Sequence, residues 1–264
     1  MVDYYINASI YVQVTIACLL TWSITSIGAA IVFFFKKVNK TVLDGMLGLS
    51  AGVMIAASFW SLLNPAIDNA TSLGMNAWLV AFLGFISGGI LIFLSDIIFE
   101  KLLKKRNVKN NEGIKRNILL IFSITLHNIP EGLAIGVAFG GIASGTNTLL
   151  SALMLAIGIG IQNFPEGCAV SLPLRREGLS RTKSFVYGMM SGIVEPISGI
   201  LGAILVIYVT NTLPFFLSFA AGAMIYVAVS ELIPESQKNT RKNLMTLFTL
   251  LGFSIMMILD VALG

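Results

Sequence analysis

The chain is predicted to be an all-α, polytopic membrane protein with eight transmembrane helices, and three observations carry that expectation. Hydrophobic residues make up 56% of the sequence and charged residues 11%, against roughly 25% charged in a soluble domain. Such a chain cannot present a mainly water-facing surface. Apolar runs long enough for a ~20-residue span recur from end to end. All 17 Lys and Arg residues fall in four short clusters, which alternate with breaks that carry none.

Taken in order, the apolar runs cover approximately 10–35, 42–63, 77–99, 117–140, 148–171, 184–209, 213–234 and 243–262. The N-terminus Met1-Val2-Asp3 has no basic leader region, so the first helix is expected to act as the targeting signal without cleavage. The second run ends at Pro65. The Lys/Asn-rich stretch at 100–116 reads as a solvated, mobile connector. It is the longest loop, so residues 1–264 are read as one transmembrane domain. Gly145 marks a tight turn before the fifth run, and Asn211-Thr212-Leu213-Pro214 a turn before the seventh. Cys18 and Cys168 lie inside apolar runs without metal or redox spacing, and packing is the simplest role for each.

A proline in a long apolar run can kink a helix as well as end it, so the 209–213 break needs a second argument. Charge supplies one. The basic clusters are Lys36–Lys40, Lys101–Arg116, Arg175–Lys183 and Lys238–Lys242. With eight spans they follow helices 1, 3, 5 and 7, all on one side of the membrane. Cytoplasmic loops carry the Lys/Arg excess, which places both termini outside; seven spans would put the last cluster outside as well. The net charge of +4 is thereby a topology signal and not a nucleic-acid footprint. The setting expected is the cytoplasmic membrane of a prokaryote, with a homodimer as a compatible assembly. Helices 1–3 and 6–8 are expected to be inverted repeats flanking helices 4 and 5, a common transporter plan.

Two short motifs stand out against this apolar background. His127-Asn128-Ile129-Pro130-Glu131-Gly132 falls in the fourth run, and Gln162-Asn163-Phe164-Pro165-Glu166-Gly167 in the fifth. Residues four apart share a helix face, so His127 stacks with Glu131 and Gln162 with Glu166. Each proline removes a backbone donor and frees the carbonyl of Leu126 or Ile161. Ser191-Gly192-Ile193-Val194-Glu195-Pro196 repeats the carboxylate-beside-proline device in the sixth run. Straight helices from the Gly145 turn would set Glu131 and Glu166 about 10 Å apart in depth at 1.5 Å per residue, a strain that kinks and tilt must absorb.

Glu131, Glu166 and Glu195 lie at membrane depth, where a charged residue costs about 2.5–3.5 kcal/mol. No Lys or Arg lies in any run, and His127 is the one basic side chain there. The negative excess implies either held protons or a cation completing the site. One imidazole, carboxylates and amide oxygens without thiolate suit Zn²⁺, and also Fe²⁺, Mn²⁺, Co²⁺ or Cd²⁺. Such an ion is cargo, and no cofactor is expected. In the second run Ser58, Ser61 and Asn64 form a polar stripe before Pro65, read evenly as an outer entrance or as interhelical hydrogen bonding.

The paired motifs resemble the ZIP (Zrt/Irt-like) metal transporters, in particular the small GufA-like branch. The resemblance covers span number and topology along essentially the whole chain, and its specific part is the two motifs plus Glu195. It implies metal influx through a binuclear centre between helices 4, 5 and 6. Carried over, one ion is bound by His127, Glu131, Gln162 and Glu166. The second uses Asn128, Asn163 and Glu195, with Glu131 and Glu166 bridging. Many family members have His at the position of Gln162 and an acid at that of Asn163, and this chain departs from both. The resemblance also implies that Glu231 lies on the inner exit path.

Two other functions fit parts of the pattern. An intramembrane metal hydrolase would use Zn²⁺ to activate water, but a single His and no His-Glu-x-x-His pattern speak against a catalytic zinc with three protein ligands. A proton-coupled carrier of an organic solute would use the Glu residues as a relay and would not need His127 opposite Gln162.

Overall fold

A computed structural model describes residues 5–34, 39–105, 112–143, 145, 148–176, 178–208 and 210–263. Among these residues the chain is helical with turns, and no strand occurs. The helices are α1 (Ile10–Phe34), α2 (Lys40–Ser72), α3 (Ala77–Lys105), α4 (Glu112–Ala143) and α5 (Leu149–Arg176). They are followed by α6, in two halves, Arg181–Ser191 and Val194–Tyr208. Then come α7 (Leu213–Ser236) and α8 (Lys242–Ile258, extended by a π-turn Leu259–Leu263).

Among the described residues, seven helices are long and apolar enough to cross a membrane: α1, α2, α3, α5, α6, α7 and α8. The chain is an integral, multi-pass membrane protein. Helix α4 covers the predicted fourth span, and its described apolar part, Asn128–Ala143, is shorter than a full span. The 209–213 break is a real turn: a 3₁₀ turn Thr210–Thr212 precedes α7, and Pro214 sits in the first turn of that helix, where its missing N–H costs nothing. Two expectations need correction. Helices α3 and α4 extend into most of the 100–116 connector, leaving only 106–111 between them, outside the described residues. Helix α2 does not stop near residue 63 but continues to Ser72.

That continuation has a physical cause at Pro65. Proline cannot bond to the carbonyl four residues back, and the ladder slips by one residue just before it. Ser58–Leu63 forms a π-turn in which the Asn64 N–H reaches the Phe59 carbonyl. The same device recurs in α7, where Ala228–Leu232 is a π-turn, the Ile233 N–H reaches the Ala228 carbonyl, and Pro234 follows. In α6 the effect is a break: Pro196 leaves the Gly192 carbonyl without its usual donor, and Glu195 N–H takes it at 3.0 Å.

Packing follows a reciprocal plan. Helix α1 lies against α5 and α6 against α4, while α3 lies against α7 and α8 against α2. Glycines set each contact. A Cβ at Gly52 would collide with the Thr249 carbonyl, one at Gly252 with the Leu49 carbonyl, one at Gly222 with the Phe85 carbonyl, and one at Gly88 with the Phe219 carbonyl. A Cβ at Gly167 would meet the Thr25 carbonyl, and one at Gly132 the Glu195 carbonyl. Exchanging α1 with α6, α2 with α7, α3 with α8 and α4 with α5 reproduces these contacts. It also pairs Met54 with Met224 and Asp96 with Asp260.

Candidate metal site between α4, α5 and α6

The two motifs meet in the interior. Asn128, Glu131, Gln162, Asn163, Glu166 and Glu195 are each at most 1% exposed. The backbone of His127 lies in α4, one turn before Glu131, and its side chain lies outside the described residues. Pro130 and Pro165 both sit inside continuous helices, so the freed carbonyls fall on the stretch that carries the ligands.

Across the α4–α5 contact, Gln162 Nε2 donates to Glu131 Oε1 at 2.6 Å. Glu131 therefore faces Gln162 directly, and the two helices are in register without the full depth offset that straight helices would give. The Glu131 and Glu166 carboxyl groups lie close enough to interact electrostatically. Across the α5–α6 contact, Asn163 Nδ2 donates to Glu195 Oε1 at 2.9 Å and to the Thr21 carbonyl at 3.4 Å. Ser50, fully buried on α2, donates to the Gln162 carbonyl at 3.1 Å and to Glu166 Oε1 at 3.4 Å.

A pattern results. Each of the three carboxylates has Oε1 held by one neutral donor of the chain: Gln162 for Glu131, Ser50 for Glu166 and Asn163 for Glu195. Oε2 of Glu131, Oε2 of Glu195, Oε1 of Gln162 and Oδ1 of Asn163 are buried acceptors with no hydrogen-bond donor. Buried acceptors of this kind are normally satisfied, and leaving one unmet costs about 1–3 kcal/mol. Among the described residues no three His, Cys, Asp or Glu side chains converge by themselves closely enough to hold an ion.

The other predicted residues are placed differently. Ser58 bonds back to the Met54 carbonyl of its own helix at 2.7 Å and is buried. Ser61 donates to Asp260 Oδ1 on α8 at 2.6 Å, and Asn64 is exposed. The three do not form one stripe, because the π-turn rotates Ser61 away from Ser58. Glu231 is half-buried in the π-turn of α7, near Tyr226, whose hydroxyl lies close to Asp96. Sequence reasoning did not find Thr21, Ser50 or the Ser61–Asp260 pair. Only the helix packing shows that α1 and α2 reach the site.

Comparison with known proteins fixes the class. A family model described as "ZIP Zinc transporter" matches residues 105–260. The human zinc transporter ZIP11 is 37% identical over 96% of this chain and 97% of its own length. Zinc transporter GufA of Myxococcus xanthus is 32% identical over 94% and 98%, and zinc transporter ZIPB of Bordetella bronchiseptica 35% over 91% and 78%.

The chain belongs to the ZIP family. Its relatives are named as transporters, and as a ZIP protein it is a membrane transport protein and not an enzyme, which disposes of the intramembrane hydrolase. The GufA-like resemblance read from the two motifs is matched by GufA itself among the relatives.

Proposed function

We propose that this protein carries Zn²⁺, and with it ions of similar ligand preference such as Fe²⁺, Mn²⁺ and Cd²⁺, across the membrane into the cytoplasm. The observation that carries the proposal is the set of buried oxygens of Glu131, Gln162, Asn163 and Glu195 that receive no donor among the described residues. Divalent cations bound here would satisfy these oxygens, and a mixed oxygen/nitrogen site binds loosely enough for release. The names of the relatives favour zinc as the cargo.

In this reading His127, Glu131, Gln162 and Glu166 hold the first ion. Asn128, Asn163 and Glu195 offer a second position, with the two shared carboxylates as bridges. Ser61 with Asp260, in the region of α2 that also holds Ser58 and Asn64, forms the outer entrance, and Glu231 beside Asp96 and Tyr226 the inner exit. Helix α4 is the eighth span, both termini face outward, and the reciprocal packing reflects inverted repeats of α1–α3 and α6–α8 around α4 and α5. The setting proposed is the cytoplasmic membrane of a prokaryote, between which and a eukaryotic membrane the relatives, animal as well as bacterial, do not decide, and a homodimer is the compatible assembly.

The test is uptake of ⁶⁵Zn by proteoliposomes containing wild type, His127→Ala or Glu166→Ala. Wild type accumulates zinc and both variants lose most of the flux. Equal uptake in all three would remove the site from the transport path. A proton-coupled carrier of organic solutes would show no zinc flux at all.

A further inference from the structure

Helix α1 carries no ligand motif, but its packing against α6 fixes which of its residues stands opposite Glu195. A Cβ at Gly199 would lie 2.5 Å from Cys18 Sγ, and one at Gly192 would lie 3.3 Å from Thr25 Cγ2. Higher numbers on α6 thus meet lower numbers on α1, and the two helices run antiparallel. Cys18, Thr21 and Thr25 are spaced i, i+3, i+7, and so are Gly192, Glu195 and Gly199, which makes one stripe on each helix. Thr21 is thereby level with Glu195, and the two side chains lie close together. Both are buried, at 2% and 0% exposure.

The Thr21 hydroxyl donates to the Cys18 carbonyl at 3.0 Å. A carbonyl cannot donate, so the single hydroxyl proton is committed to that bond, and the oxygen has only lone pairs for its other side. Beside it stands Glu195, whose Oε2 is a buried acceptor with no donor among the described residues. The Thr21 main chain adds a second effect. Its carbonyl and Glu195 Oε1 both accept from Asn163 Nδ2, at 3.4 and 2.9 Å. That engages the amide's NH₂ and leaves Asn163 Oδ1 on the far side, again without a donor. Thr21, Asn163 and Glu195, from three helices, each present an acceptor oxygen and have no proton left for one another. Buried acceptors in that arrangement are costly unless a cation joins them.

We propose that Thr21 is a ligand of the second ion position, its hydroxyl oxygen joining Asn163 Oδ1 and Glu195 Oε2 on a divalent cation. This rests on the reading of Asn163 and Glu195 as that position. The Thr21 methyl points elsewhere, toward α5, where a Cβ at Gly160 would stand 3.9 Å from it. Oxygen and shape can therefore be altered separately.

The test is zinc binding to the purified full chain in detergent, followed by isothermal titration calorimetry. Wild type takes up two ions. Thr21→Val, which keeps the branched shape and loses the oxygen, retains the first ion at wild-type affinity. It binds the second about 10–100-fold more weakly, the scale on which metal sites lose a contributing group. Thr21→Ser, which keeps the oxygen and loses the methyl, binds both as wild type does. Two ions at wild-type affinity in Thr21→Val overturn the proposal and leave the second position standing. Loss of the second ion in Thr21→Ser but not in Thr21→Val overturns it as well, and makes Thr21 a packing residue. A single ion in the wild type overturns the second position and the proposal together. The wild-type chain also gives a readout that does not depend on the variants folding. Anomalous scattering from zinc-soaked crystals is expected to place Thr21 Oγ1 at ligand distance from the second ion, about 2.2 Å. A second ion bound with Thr21 outside its coordination shell overturns the proposal.

Discussion

Ser50 is a neutral residue on a helix that carries no metal-ligand motif, yet its hydroxyl reaches both the Gln162 carbonyl and Glu166 Oε1. In the proposed site it orients a ligand without being one. The matching position on α7 is Ala220, also fully buried, so the restraint on Glu166 has no partner on the Glu131 side, where Gln162 takes over. Removing an outer-shell donor of this kind typically lowers metal affinity 10–100-fold. Ser50→Ala is expected to weaken zinc binding by about tenfold in calorimetry, with the melting temperature of the metal-free protein nearly unchanged because only one hydroxyl is lost. Unchanged affinity, or a metal-free protein that melts far lower, would make Ser50 a packing residue. The carboxylate motifs themselves were legible in the sequence, because Asn-x-Pro-Glu-Gly twice in an apolar run has no cheap structural explanation. Ser50 and Thr21 were not, since a serine or threonine in a spanning helix usually bonds its own backbone, as Ser23 does to the Leu19 carbonyl at 2.6 Å.

At the scale of the helix, prolines and glycines decide the shape. Pro65 and Pro234 were visible as interruptions, but the consequence, a slipped turn in place of a helix end, depends on neighbours that hold both sides in line. The expected repeat is hard to align in the sequence for a related reason. Ala51-Gly52-Val53-Met54-Ile55 matches Ala221-Gly222-Ala223-Met224-Ile225, and Ser61-Leu62-Leu63-Asn64-Pro65 matches Ser230-Glu231-Leu232-Ile233-Pro234. The π-turn between these stretches is 6 residues in α2 and 5 in α7, which puts the two matches in different registers. The glycine contacts give a sharp test on adjacent residues. A methyl at Gly88 would collide with the Phe219 carbonyl, whereas at Gly89 it meets nothing closer than 3.7 Å. Gly88→Ala is expected to cost about 1–3 kcal/mol as overpacking, seen as a lower melting temperature in detergent. Gly89→Ala, with open space and a better helix former, is expected to be neutral or slightly stabilising. Equal effects at the two positions would show that the α3–α7 approach is looser than described.

For the molecule as a whole, the reciprocal packing and the basic clusters make one statement about orientation. Helix α2 leaves the Lys36–Lys40 cluster and ends at Ser72, while α7 starts at Leu213 and ends beside the Lys238–Lys242 cluster, so the two run in opposite senses. Exchanging the halves then sets Ser61 with Asp260 toward the side free of Lys and Arg, and Tyr226 with Asp96 toward the basic side. A transported cation would meet an acidic residue beside a π-turn on entry and another on exit. The orientation follows from the Lys/Arg bias and is open to direct measurement, because both native cysteines are buried and give little background labelling. Ser72→Cys, at an exposed position between α2 and α3, is expected to react with a membrane-impermeant maleimide on intact cells. Lys238→Cys, whose native side chain is 59% exposed, is expected to react only after permeabilisation. The opposite pattern would reverse the membrane orientation, and with it the direction assigned to transport. Labelling of both sites on intact cells would place α3 to α7 across the membrane an even number of times in total and remove α4 as a span.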